Sequence, residues 1–171
     1  MKIIEALKKF KNMEIKLTDL RSKVKNNVAM MDYQTSPYQD PKKQLQSWID
    51  CYTDTLEEFS RLQIAINKTN LVTDVSIELR PGKPVKKSCA EWILRRRKLN
   101  HIELNLWNQV NDNLKDIPVK DESQEGKIRI ARVVRFYDVE ARDEKLIELN
   151  EECINIDAAL EMVNAVTDLI E

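Results

Sequence analysis

Glycine is almost missing from this chain of 171 residues: Gly82 and Gly126 are the only two. So little glycine leaves no material for a phosphate-cradling loop. Neither a Gly-x-Gly-x-x-Gly fingerprint, a P-loop nor a Gly-x-Ser-x-Gly elbow occurs. Histidine is rarer still, with His101 alone, and there is no Cys-x-x-Cys, so the ligands of a His/Cys zinc site are lacking. Neither a metal nor a cofactor is implied. Cys51, Cys89 and Cys153 are odd in number and far apart. They read as reduced core residues, which points to the cytoplasm. No apolar run approaches the ~20 residues of a spanning helix. The start, Met1-Lys2-Ile3-Ile4-Glu5, reads as a folded helix and not a signal peptide. A formal net charge of −1 offers bulk attraction to neither nucleic acid nor an anionic membrane, so neither is expected as a partner.

What the chain does hold is apolar and charged residues in helical order. They make up 42% and 33% of it, too hydrophobic for disorder and too charged for a membrane protein. The spacing predicts a mainly α fold: long antiparallel helices in a coiled-coil-like bundle, with a small antiparallel β-sheet, in one domain over 1–171. Across the first segment Ile3, Leu7, Phe10, Leu17, Val24 and Val28 recur every three or four residues, with Glu14 and Arg21 at stripe places. Asp40-Pro41 then supplies an N-cap and a first-turn proline. The next stripe, Leu45, Ile49, Tyr52, Leu56, Phe59 and Ile66, has Gln63 at its remaining place. Residues 2–69 thus predict a helical hairpin.

The β-type residues and the Pro81-Gly82 turn signal predict a β-hairpin over 70–85. A third helix is expected over 86–114, with Trp92, Leu99, Ile102, Leu106 and Val110 in its stripe. A polar loop through Pro118 and Gly126 then leads to a strand over 128–137, expected to pair with the hairpin as a third strand. The C-terminal helix, 139–170, has the most regular stripe: Val139, Arg142, Leu146, Leu149, Cys153, Ile156, Leu160, Val163, Thr167 and Ile170. It would be ~45 Å long, enough to overhang a compact core and call for a second copy to cover its end.

Candidate chemistry is thin. His101 could act as a general base, but a lone helical histidine is more often a surface or satisfied residue. Carboxylate pairs such as Glu151-Glu152 mean little among 29 acids. The run Arg95-Arg96-Arg97-Lys98 points around a whole helix turn, and the plain reading is pairing with acids of neighbouring helices. Arg129, Arg132 and Arg135 form a second basic series. The polar residues on apolar stripes are more informative, because a buried charge must be paired. Glu14, Arg21 and Arg142 are therefore expected to be buried and to meet one another, a partner chain or a ligand.

Three motifs resemble those of small bacterial helical proteins often labelled septicolysin. They are Leu20-Arg21-Ser22-Lys23 with Asn26-Asn27, Ile66-Asn67-Lys68-Thr69-Asn70, and Ile128-Arg129 leading through Tyr137-Asp138-Val139 into a long helix. The third helix departs from that pattern with Trp92-Ile93-Leu94-Arg95-Arg96-Arg97. The resemblance implies a helical fold and self-association, and no established activity.

The residues support two functional readings. The leading one is a non-catalytic, self-associating binding or assembly protein, a dimer or higher homo-oligomer. The alternative is a binder of a small anionic ligand, nucleotide-like or otherwise phosphate-bearing. Its candidate ligand residues are Arg21, Asn67, Lys68, Thr69, Asn70, Arg129, Arg132, Arg135 and Arg142. An enzyme acting on such a ligand comes third.

Overall fold

Capping chemistry sets three of the helix starts. The Asp40 carboxylate accepts the Lys43 N–H at 3.0 Å, with Pro41 in the first turn. Ser88 and Glu91 form a capping box. Asp138 accepts the N–H groups of Glu140 and Ala141. The computed structural model describes residues 1–80, 82–120 and 128–170. Pro81 of the turn signal, and 121–127 of the expected polar loop with Gly126, lie outside the described residues.

The chain is mainly α. Helix α1 spans Ile3–Asn27 and α2 spans Pro41–Val72. They pack antiparallel, with Phe10 stacked on Phe59 at 4.1 Å between ring centroids. A hairpin comes next, β1 (Asp74–Arg80) against β2 (Lys83–Ser88). Gly82 takes a positive φ of 73° at its turn, where a side chain would be strained. Then α3 (Cys89–Leu94), a π-helical turn (Arg95–Leu99) and α4 (Asn100–Gln109) run on as one rod. A second two-stranded sheet joins β3 (Ile117–Lys120) to β4 (Ile128–Ala131), and α5 spans Val139–Val166.

Two small cores result. Ala6, Met13, Leu62 and Ile66 lie between α1 and α2, with Phe10, Phe59 and Leu169 against them. Val75, Ile77, Cys89, Trp92 and Ile156 lie where α5 crosses the hairpin, with Leu160 and Val163 against them. The indole N–H of Trp92 donates to the Val75 carbonyl at 3.0 Å, satisfying a polar group that burial would otherwise penalise. The ends of the chain meet: Ile3 N–H donates to Thr167, and Leu169 N–H to Met1.

Several expectations are corrected. In α1 the buried places are Ile3, Ala6, Met13 and Leu20, so Ala6, Met13 and Leu20 replace Leu7, Glu14 and Arg21. Glu14 and Arg21 are exposed and form no pair with Arg142. Small Ala6 lets α2 approach, and Met13 and Leu20 can be buried at no electrostatic cost. In α2, Thr55 and Leu62 are buried while Ile49 and Leu56 are exposed. Helix α2 runs on through Leu71 and Val72, so the hairpin begins later than residue 70. Only Ile128–Ala131 of the expected 128–137 strand is paired, and its partner is β3, part of the stretch read as loop; the two sheets stay separate. In the third helix the π turn inserts a residue and rotates the downstream residues by about 100°. Leu99, Ile102 and Leu106 therefore face solvent, while Asn100 is buried. The α5 stripe is phased as expected in its middle, with Leu149 and Ile156 buried, but the helix ends at Val166, short of the expected 170, and the outermost stripe places, Val139 and Ile170, are exposed. The hairpin, α4 and α1 cover the stripe between those places within the same chain, as far as Val163.

Candidate functional site

Between the two cores lies a cleft of about 680 Å³. Helix α1 contributes Ile3, Leu7 and Phe10 to it. Helix α2 contributes Gln63, Ile66, Asn67, Asn70 and Leu71, the face where its apolar stripe turns polar. Ala90, Ile93, Arg96 and Arg97 come from α3 and the π turn, and Asp157, Leu160 and Asn164 from α5. One wall is thus aliphatic and aromatic, and the rest carries carboxamides and charges.

The charges are not equivalent. Arg96 donates Nε to both Asp157 oxygens at 2.9 Å and Nη2 to Oδ2 at 2.8 Å, so its charge is matched. Arg97 is exposed and has no ion pair among the described residues. Gln63 Nε2 donates to Asn67 Oδ1 at 3.0 Å. Asn70 Oδ1 is shut off from water and meets no donor.

A second polar cluster lies at the α4–α5 contact. Arg95 binds both oxygens of Glu152, at 2.9 and 2.7 Å, and reaches Glu103 at 2.7 Å. Lys145 lies 3.3 Å from Glu103, and Asn100 Nδ2 donates to Glu152 and to the Leu149 carbonyl. Burial raises the carboxyl pKa values of Glu152 and Glu103, but hydrogen bonds from Arg95, helped by Asn100 and Lys145, outweigh it and hold both below the usual carboxylate range. The π turn makes this possible, since successive arginines, Arg95 and Arg96, both reach α5. The plain reading of the Arg95–Lys98 run, pairing with neighbouring acids, holds for these two.

The residues expected from sequence to bind a ligand scatter. Asn67 and Asn70 line the cleft. Thr69 is fully buried: its hydroxyl donates to the Ala65 carbonyl and accepts Ile170 N–H at 2.9 Å, a structural role. Lys68 lies on a separate surface with Lys9, Glu58 and Leu169. Arg21 is exposed near the far end of α1. Arg129 and Arg132 are exposed at β4, and Arg135 pairs with Asp112, which also accepts the Tyr137 hydroxyl. Arg142 Nε is shut off from water, 2.9 Å from Asp143 Oδ1 but out of line for a hydrogen bond. None of these arginines lines the cleft. The residues missed are Arg97, Asn164 and the Arg96–Asp157 pair. Gln63, interrupting an apolar stripe, was the signal pointing here.

His101 is exposed. The Cys89 thiol is buried, which pushes its pKa up and keeps it protonated at neutral pH. Cys51, Cys89 and Cys153 are all free. Among the described residues there is no metal-holding His/Cys/Asp/Glu group, and no helix is long and apolar enough to cross a membrane.

No protein-family model matches the chain, and no curated protein matches it. A solved structure does: the crystal structure of a functionally unknown conserved protein from Corynebacterium diphtheriae. It is similar over 99% of this chain and 99% of that one, with a TM-score of 0.64 and 16% identity. A likeness at that identity concerns the fold alone.

Proposed function

We propose that this chain is a non-catalytic helical binding or assembly protein that works as a homo-oligomer. The observation that carries the reading is surface area. The single chain exposes 13253 Å², whereas a compact folded monomer of 20.1 kDa exposes about 8,700 Å². The excess of about 4,500 Å² is several times the ~800 Å² that each partner gives to a standard interface. Only twelve apolar residues are buried among the described residues, while Leu99, Ile102 and Leu106 on the rod and Ile147, Ile154 and Met162 on α5 are exposed. A helix apolar on two sides wants two neighbours, and α5 has its own chain on one side only. A second copy presents the same faces in return.

The association surface is therefore the outer faces of α4 and α5, in place of the α5 stripe, which the chain already covers through Val163. The septicolysin-like motifs carry the same expectation of self-association, and three free cysteines fit a cytoplasmic location. Sedimentation equilibrium at tens of micromolar tests the reading. A dimer or larger that Ile102→Glu or Ile154→Glu dissociates, with helix content retained, supports it. A 20.1 kDa monomer overturns it.

A further inference from the structure

We infer that the β3–β4 ribbon is an arm that lies on α5 of a second copy, its apolar, basic face against that helix's apolar, acidic one. The inference rests on the assembly reading and adds a second contact to it. The base of the ribbon is fixed: Asp112 accepts Arg135 Nε at 2.8 Å and the Tyr137 hydroxyl at 2.6 Å, and Asp116 accepts Val133 N–H at 2.8 Å. Beyond that base the two strands pack mainly on each other among the described residues. A two-stranded ribbon alone is only marginally stable in water, and packing against a helix supports it. The pairing of Pro118 with Ile130 and of Lys120 with Ile128 puts these four side chains on one face. All four are exposed, Ile128 and Ile130 at 71% and 65%. On the opposite face Val119 and Ala131 are half-buried.

Charge identifies what covers that face. The strands carry Lys120 and Arg129 and no acid, with Arg132 exposed just beyond them. The complementary surface stands on the same chain. The outer stripe of α5 runs through Ile147, Glu151, Ile154, Glu161 and Met162, all exposed, and among the described residues of α5 no exposed one is basic. Both surfaces thus mix aliphatic side chains with charge, and the charges are opposite in sign. Neither strand packs appreciably on α5 of its own chain. The ribbon leaves the end of α4 and returns to the start of α5. A two-fold axis crossing α5 therefore carries each ribbon toward the C-terminal half of the other copy's helix, where Glu151, Ile154, Glu161 and Met162 stand. Both contacts form together, and the pair closes. Arg132, expected from sequence to hold a small anion, meets protein carboxylates instead.

Sedimentation equilibrium of the full chain with paired charge reversals tests this. Lys120→Glu with Arg132→Glu should weaken dimerisation about tenfold or more, and so should Glu151→Lys with Glu161→Lys, since each sets like charges together. Mixed in equal amounts, the two double variants should recover a dimer of near wild-type affinity holding one of each, because every ribbon then meets a helix of opposite sign. All four residues are exposed, so helix content stays unchanged, checked by circular dichroism. A monomeric wild-type chain overturns the assembly reading and this inference together. A wild-type dimer that either reversal leaves unweakened overturns the arm alone. So does a weakening that mixing fails to repair.

Discussion

Arg95 grips Glu152 with two hydrogen bonds, Nε to Oε1 at 2.9 Å and Nη2 to Oε2 at 2.7 Å, across the contact between the π turn and α5. The side chains are only 19% and 12% exposed. Such a pair is weak evidence for net stability, since both charges were taken out of water, but breaking it is costly. Arg95→Ala leaves Glu152 buried with Asn100 as its remaining hydrogen-bond donor. The expected loss is about 3–5 kcal/mol, read as a fall in the urea midpoint at unchanged m-value. A loss under about 0.5 kcal/mol would place the pair among ordinary surface contacts.

The same carboxylates make the fold acid-sensitive. Glu152 and Glu103 have their pKa lowered in the folded chain, so the unfolded chain binds more protons as pH falls. Their stabilisation is fully present above the unfolded glutamate value of ~4.3 and is lost as pH drops through the folded values. Urea midpoints should be level well above that value and fall progressively as pH drops below about 4.3. Glu152→Gln should flatten that fall. An unchanged acid limb in the variant would assign the sensitivity elsewhere.

The phase of α1 can be tested with adjacent residues. Leu20 is 6% exposed and Arg21 is on the outside. Leu20→Ala should cost about 2–5 kcal/mol, as for other core truncations. Arg21→Ala should stay within about 0.5 kcal/mol. The reverse order would restore the charged stripe.

The helical nature of the chain was legible because its period is strong and Asp40-Pro41 behaves as the cap its side chains require, whereas the Ser88–Glu91 capping box was not read: the third helix was expected from 86 and starts at Cys89, after a strand that runs to Ser88. Phase was not legible in α1 and α2. Each has two interleaved stripes sharing every second member, Ile3, Phe10, Leu17 and Val24 in α1, and only the packing partner decides between Ala6-Met13-Leu20 and Leu7-Glu14-Arg21. Alanine adds little to an apolar pattern, though it marks close approach. The π turn was hidden because it has no side-chain signature, yet it re-aims every residue from Leu99 onward. In the cleft, Asn67, Asn70 and Gln63 were visible as polar breaks in an apolar run. Arg97, Asp157 and Asn164 were not, because sequence distance says nothing about which helices meet.

The end of the chain is tied down by Thr69. Its hydroxyl accepts Ile170 N–H at 2.9 Å and donates to the Ala65 carbonyl at 2.8 Å. Just before it, Leu169 packs into the α1–α2 core, and Asp168 bridges to Lys2 both through the backbone and by a 2.8 Å ion pair. The exposed ion pair adds little, since solvent and salt screen it. The buried hydroxyl matters more: Thr69→Val keeps the shape but leaves Ile170 N–H without its acceptor, at a cost of about 1–3 kcal/mol. Leu169→Ala removes core volume and should cost at least as much as its partial burial allows, about 1–3 kcal/mol. Both should speed amide exchange at Ile3 and Leu169, whose N–H groups cross between the chain ends, while α4 is unaffected. If Thr69 instead served a ligand, as its motif suggested, Thr69→Val would leave that exchange and the urea midpoint unchanged and alter binding alone.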